Sequence, residues 1–184
     1  MSDDLTGVAN RRHLFKRLAD ECALSQRAMT PFAILVMDLD GFKDVNDSHG
    51  HGAGDECLRT FCHLVRGRLR SSDLLARIGG DEFCAVLPQT TAHEADIVAE
   101  DLIALCNRTH VVWDGVAIPL TASIGVAQWT PSDSNTPERI MAAADHALYD
   151  AKRLGKNRHA TYGDGESPPV ADAAMTARPA VNAV

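Results

Sequence analysis

The run "PFAILVMDLD", residues 31–40, constrains this chain more than any other stretch. Six consecutive apolar residues lie between Pro31 and Asp38, and Gly41 follows Asp40. A strand that is apolar at every position has no solvent face, so it belongs in the middle of a sheet covered on both sides. The covering helices are visible as periodic stripes. "NRRHLFKRLADECALSQRA" (10–28) spaces Leu14, Leu18 and Cys22 four apart. "FKDVNDSHGHGAGDECLRTFCHLVRGRLR" starts as a short helical turn, breaks at its glycines and resumes with Leu58, Cys62, Val65 and Leu69 on one face. "AHEADIVAEDLIALCNR" carries Ala95, Val98, Leu102 and Leu105. "TPERIMAAADHALYDAKRLG" has Thr136 as N-cap, Pro137 at the first helical position and Gly155 as stop.

Between them, "LLARI" and "FCAVL" read as short strands joined by a Gly79–Gly80 reversal, because tight hairpin turns need positive φ. "HVVWDGVAIPLTASIGVAQW" reads as two strands around an Asp-Gly turn, and "NRHATY" as a last strand. The expected order is α-β-α-α-β-β-α-β-β-α-β, an α+β fold with helices over a mixed sheet. Residues 3–162 form one domain, and the aperiodic, Ala- and Pro-rich segment 163–184 is expected to be a disordered tail.

The net charge of −7 excludes a general affinity for nucleic-acid polymers or anionic membranes. No apolar run spans a bilayer, and "MSDDLTG" does not read as a signal peptide. Five cysteines, an odd number with no C-x-x-C pair, read as buried reduced thiols in a reducing, cytoplasmic compartment.

Two acidic clusters stand where apolar strands end. Asp38 and Asp40 close the central strand on one face, and Asp81 and Glu82 follow the glycine reversal. Adjacent strand residues point oppositely, so one of the second pair joins Asp38; with the hairpin beside strand 32–38, Asp38 and Asp81 meet at the sheet rim. Two such carboxylates repel unless one is protonated or a cation lies between them, and hard oxygens favour Mg²⁺ or Mn²⁺. The competing reading of "GGDE" is a solvated hairpin tip. After Gly41 a helix begins, so the amides of Phe42 and Lys43 can face an anion, with Lys43, Lys152 and Lys156 adding charge or simply standing in solvent. His49 and His51 lack a third metal partner and read as structural.

In order, "DDLTGVANRR", "MDLDGFKDVNDSHGHGAGD", "RSSD", "RIGGDEF", "LTASIGVA" and "ADHALYDAKRLGKNR" make residues 3–162 resemble the GGDEF-domain diguanylate cyclases, which condense two GTP into cyclic di-GMP. The resemblance implies a palm-like core shared with nucleotidyl cyclases, with a GGDEF β-hairpin, acting as a homodimer. It implies that Asp38, Asp81 and the Leu39 carbonyl hold Mg²⁺ (or Mn²⁺), and that Glu82 lies by the reacting ribose hydroxyl or the metals. By the same resemblance Asn46 and Asp55 read guanine, Phe42, Lys43, Lys152 and Lys156 cradle phosphates, and Gly79 and Gly80 let backbone approach the nucleotide. Arg70 and Asp73 of "RSSD" would form an inhibitory site for the product; the plain alternative is an i, i+3 ion pair. Ala9 replaces a frequent proline and Lys156 a frequent arginine, the latter losing bidentate phosphate geometry. Sensor domains usually precede such units, and these residues include none. Two other outcomes share the residues: a silent module that binds GTP or cyclic di-GMP, and a cyclase with a different nucleotide product.

Overall fold

The computed structural model describes residues 1–131 and 136–163, so the expected disorder of 163–184 falls, beyond Gly163, outside the described residues. The central strand forms as expected. β2 (Phe32–Leu39) is buried at all eight positions and lies between β4 (Glu82–Leu87) and β7 (Ala122–Trp129), antiparallel to both. Two further strands complete one side, β3 (Leu74–Gly79) antiparallel to β4 and β1 (Ala9–Asn10) parallel to β3. On the other side β8 (His159–Thr161) runs parallel to β7. The mixed sheet therefore reads β1-β3-β4-β2-β7-β8.

Period-two alternation divides β2 between two cores. Ala33, Leu35, Met37 and Leu39 pack with α3 (His51–Arg68) and α4 (Ala92–Asn107), while Phe32, Ile34 and Val36 pack with α1 (Arg11–Ala28) and α5 (Pro137–Arg153). α2 (Phe42–His49) leads into α3 across Gly50, whose φ of +82° suits glycine. α4 opens on a reciprocal Thr91–Glu94 capping box, and its buried stripe is Ala95, Ala99, Leu102 and Cys106. Val98 and Leu105, expected on that stripe, sit at its margin.

The sequence reading departs from the structure in three places. β1 was not anticipated, because two residues carry no periodic signal. Residues 110–129 hold three strands rather than two: β5 (His110–Trp113) and β6 (Val116–Pro119) form a separate hairpin, and β7 enters the main sheet. The reversal after β3 is not Gly79–Gly80. Gly79 pairs with Glu82, after a bulge between Arg77 and Gly79, so Gly80 (φ +39°) and Asp81 make the turn. All five cysteines are unpaired; four are buried and Cys22 is half-buried. No helix among the described residues is long and apolar enough to cross a membrane.

α5 lies unusually close to β7. A Cβ at Gly125 would overlap the Ala144 carbonyl oxygen and the Leu148 amide nitrogen, and would stand 2.9 Å from Leu148 Cα. These are backbone atoms, which cannot rotate away. Gly125→Ala is therefore expected to destabilise the fold by about 3 kcal/mol or more, read as a lower urea midpoint at unchanged slope. A variant unfolding at the parental midpoint would contradict this packing.

Candidate active site

The site is built at the end of β2 that carries the acids. In the ladder Asp38 stands opposite Glu82 on one side and Ser123 on the other. Directly opposed residues share a face, so Asp38 and Glu82 project together toward α1 and α5. Asp81 sits within the turn, outside the strand alternation, and its carbonyl accepts from the Leu39 amide at 3.4 Å. The bulge thus removes the expected limit of one acid beside Asp38, since Asp81 and Glu82 are not consecutive strand residues. Asp38 is 8% exposed. Its pKa is raised by burial, and further by the charge of Asp81, against the pull of Lys152. Burial also raises Asp81, with Glu82 adding to the effect.

Lys152, near the end of α5, places Nζ 2.7 Å from Asp38 Oδ2. One helical face below it lies Asp145, which the sequence reading missed. It is half-buried, and burial together with Glu82 pushes its pKa up to about 6, opposed by Arg11 and Lys152. Asp40 adds its charge to the upward push on Asp38, but its own carboxylate is engaged elsewhere. Its carboxylate accepts from Ser123 Oγ at 2.7 Å and from the Asn157 amide at 2.9 Å, tying the loop after α5 to β2 and β7. That loop holds Lys156 and Asn157 in left-handed conformations, with Lys156 exposed.

The hairpin tip is held from behind. Arg77 donates from Nε and Nη2 to the Gly80 carbonyl at 2.9 and 2.7 Å, and from Nη1 to both Asp3 oxygens at 3.2 Å. Burial alone would raise Asp3, but hydrogen bonds from Thr6 and the Arg77 guanidinium outweigh it and hold its carboxyl below the usual range. Neither Asp3 nor Arg77 was singled out in the sequence, because their contact spans 74 positions.

Beyond Gly41 (φ +69°), α2 begins with Phe42 half-buried and Lys43 exposed. Asn46 Oδ1 is buried without a hydrogen-bond partner, and it lies against Gly54, where any Cβ would overlap it. Asp55 is the next residue of α3 and is half-buried. His49 and His51 are exposed, with no side-chain hydrogen bond recorded for either among the described residues. On the far side of β3, Asp73 Oδ2 accepts from the Arg70 amide at 2.7 Å, so the stretch closes a turn, and among the described residues no Arg70–Asp73 ion pair forms. Exposed Arg70 and half-buried Asp73 border an open cleft of about 570 Å³ that also touches His13 and Arg66.

No three His, Cys, Asp or Glu side chains among the described residues converge as a metal cluster. Buried Asp38 and half-buried Asp81 nevertheless repel one another beside the Leu39 backbone, and an ammonium already rests on Asp38. Two repelling carboxylate oxygens are the kind of hard donor that suits a divalent cation, were Lys152 to yield.

Asp145 gives a signed pH effect for the metal-free protein. Its folded pKa lies above the unfolded carboxyl value of about 4, so its contribution to stability is fully present below that value and is lost as pH rises through about 6. Asp145→Asn should flatten the stability profile over that interval and be at least as stable as the parent at neutral pH. Denaturant midpoints measured across the interval check this, and an unchanged slope in the variant would refute it.

Known proteins share both the sequence family and the fold. The family model "Diguanylate cyclase, GGDEF domain" matches residues 1–158. Diguanylate cyclase DosC of Escherichia coli is 40% identical over 157 residues, covering 85% of this chain and 34% of DosC. Cyclic di-GMP phosphodiesterase NbdA of Pseudomonas aeruginosa is 36% identical over 158 residues, 84% of this chain and 20% of NbdA. The chain thus spans about a third or less of these relatives. The solved structure of a truncated TpbB (YfiN) from Pseudomonas aeruginosa comprising only the GGDEF domain superposes with a TM-score of 0.84 at 34% identity, covering 89% of this chain and 95% of that one. With the family model matched along most of its length and the fold shared, this chain belongs to the diguanylate cyclase GGDEF-domain family.

Proposed function

We propose that this chain condenses two GTP molecules into cyclic di-GMP and releases two pyrophosphates. One observation carries the reading: Asp38, Asp81 and Glu82 gather at one sheet end, with Lys152 paired to Asp38 and its charge, with that of Arg77, opposing the repulsion at Asp81. Such a cluster attracts cationic charge, and the amides opening α2 lie after the same strand. In each of two steps a 3′-hydroxyl of one GTP attacks the α-phosphorus of the other, an O–P bond forms, and pyrophosphate departs.

Asp38, Asp81 and the Leu39 carbonyl would hold Mg²⁺ or Mn²⁺, which when bound supplies charge neutralisation on the triphosphate and acidifies the attacking hydroxyl. The chain's own groups bind and orient. Asn46 and Asp55 take the guanine edge, where Asp55 accepts from N1–H and the exocyclic amine; adenine would leave it unpaired. The unpartnered Oδ1 of Asn46 supports this assignment. The amides of Phe42 and Lys43, with the ammonium groups of Lys43 and Lys156, hold phosphate oxygens. Lys152, paired with Asp38 in the absence of a cation, would be free to take a phosphate oxygen with the metal bound. Gly79 and Gly80, both exposed, leave room for backbone approach. Glu82 faces the reacting ribose from beside Asp38. One chain holds one GTP, so turnover requires two chains face to face. Arg70 and Asp73 bind the product and limit turnover, the guanidinium meeting phosphate or a guanine edge.

The match to a protein named as a phosphodiesterase favours one alternative, a module that binds guanine nucleotides without turnover. The two separate in a single assay of GTP with Mg²⁺, following pyrophosphate and dinucleotide. Under the cyclase reading, initial rate rises with the square of protein concentration while the dimer is scarce. Glu82→Gln and Asp81→Asn each lower turnover by roughly 100-fold or more at little cost to folding. Arg70→Ala leaves the initial rate intact and removes the later slowing. Nucleotide binding with no pyrophosphate at any protein concentration would establish the silent module instead.

A further inference from the structure

The corner between α2 and α3 is held from outside by an element the site has not yet used. The β5–β6 hairpin stands apart from the main sheet, and its turn residues Asp114 and Gly115 are both left-handed, at φ +47° and +78°. That is the stiff two-residue connection of a twisted hairpin. Val111 and Ile118 on its inner face are buried in the same core as Ala53 and Cys57 of α3. Trp113, on the Val111 face, reaches the first turn of α3. A Cβ at Gly52 would lie 2.8 Å from Trp113 Cζ2 and 2.9 Å from Cη2.

The same turn is met from its other side. A Cβ at Gly54 would overlap Asn46 Oδ1 and lie 3.2 Å from Phe42 Cε2. The first turn of α3 is thus thinned to glycine at two positions, and each admits a ring or an amide where a methyl group would stand. Glycine inside a helix costs about 1 kcal/mol relative to alanine. Two of them bring the indole and Asn46 against the backbone that carries Asp55, which lies one residue past Gly54 and, at i+3, neighbours Gly52 on the helix surface.

We propose that Trp113 is a positioning residue for guanine recognition: its indole, packed on Gly52, fixes the first turn of α3 and so sets the distance between Asn46 and Asp55. This rests on the assignment of Asn46 and Asp55 to guanine. Trp113 touches no substrate; it acts through the helix backbone. Its outward neighbour Val112, 70% exposed, makes no such contact and serves as the control position.

The test uses the whole chain and 3′-deoxy-GTP, which lacks the attacking hydroxyl, with Mg²⁺ in a calorimeter. Trp113→Ala should weaken binding about tenfold, Trp113→Phe should recover part of the loss, and Val112→Ala should bind as the parent does. Gly52→Ala should weaken binding in the parent but add nothing to Trp113→Ala, because the methyl group then occupies the space the indole left. The chain's only other tryptophan, Trp129, is buried against Phe32 on the opposite face of the sheet, so nucleotide should change emission in the parent and not in Trp113→Phe. If Trp113→Ala does not fold, Trp113→Phe and Gly52→Ala carry the comparison. Parental affinity in Trp113→Ala and Gly52→Ala, with Asn46→Ala and Asp55→Ala weakened, would overturn the role of Trp113 alone. Parental affinity in Asn46→Ala and Asp55→Ala would overturn the guanine assignment, and the proposal with it.

Discussion

The register of β2 is the constraint on which the site depends. Asp38 faces α5 because it falls on the same alternation as Phe32, Ile34 and Val36, whose burial against α1 and α5 fixes which side is which. A slip of one residue would send all of these to the other face, along with Asp38, and no gain at the rim could repay the exchange. The hydrophobic pattern in the middle of the strand therefore aims the acid at its end. The same register puts Glu82 and Ser123 across from it, and Ser123 in turn holds Asp40, which anchors the loop carrying Lys156. An acid of the candidate site at the strand's end and a structural acid just past it thus stand two residues apart.

Two close approaches build on that register. Gly125 lets α5 settle on β7, and the settling brings Lys152 within 2.7 Å of Asp38 and Asp145 into the field of Glu82. Gly54 lets α2 settle on α3, and half-buried Asn46 keeps its Oδ1 buried there without a partner. In both places glycine serves a helix face or a strand face rather than a turn. The bulge after Arg77 performs the remaining adjustment, moving Asp81 out of the pleat so that neighbouring acids need not point apart.

Much of this was legible in the chain. The two-sided strand and the five helices follow from periodicity, which acts over a few residues; Thr136 takes the expected N-cap position but makes no side-chain capping bond, and the glycine reversal falls one residue later than expected. What escaped acts over longer distances or too few residues. β1 is two residues long. The hairpin 110–119 merged with β7 because valine and isoleucine continue across the joint and only Pro119 hints at a break. Arg77 reads locally as an ordinary strand arginine; its meaning comes from Asp3, at the other end of the primary sequence block. Asp145 had a usable signal: it follows Ala144 and stands three residues before Leu148 and four after Met141, an acid inside a buried stripe. Trp113 had none, since one aromatic in a half-buried strand is commonplace until Gly52 is seen beneath it.

The acids also oppose the fold that carries them. Asp38, Asp81 and Asp145 all have pKa values pushed upward, chiefly by burial, so each ionises in the folded chain at some expense in stability. Asp3 runs the other way, its carboxyl favoured by Thr6 and Arg77, and it is this lowered acid that braces the tip bearing a raised one. The strain is therefore local and directional: a stabilising ion pair behind the hairpin holds a destabilising cluster in front of it. Under the proposed reading, a cation entering between Asp38 and Asp81 would relieve that cluster without disturbing the brace, and in its absence Lys152 supplies part of that relief at Asp38.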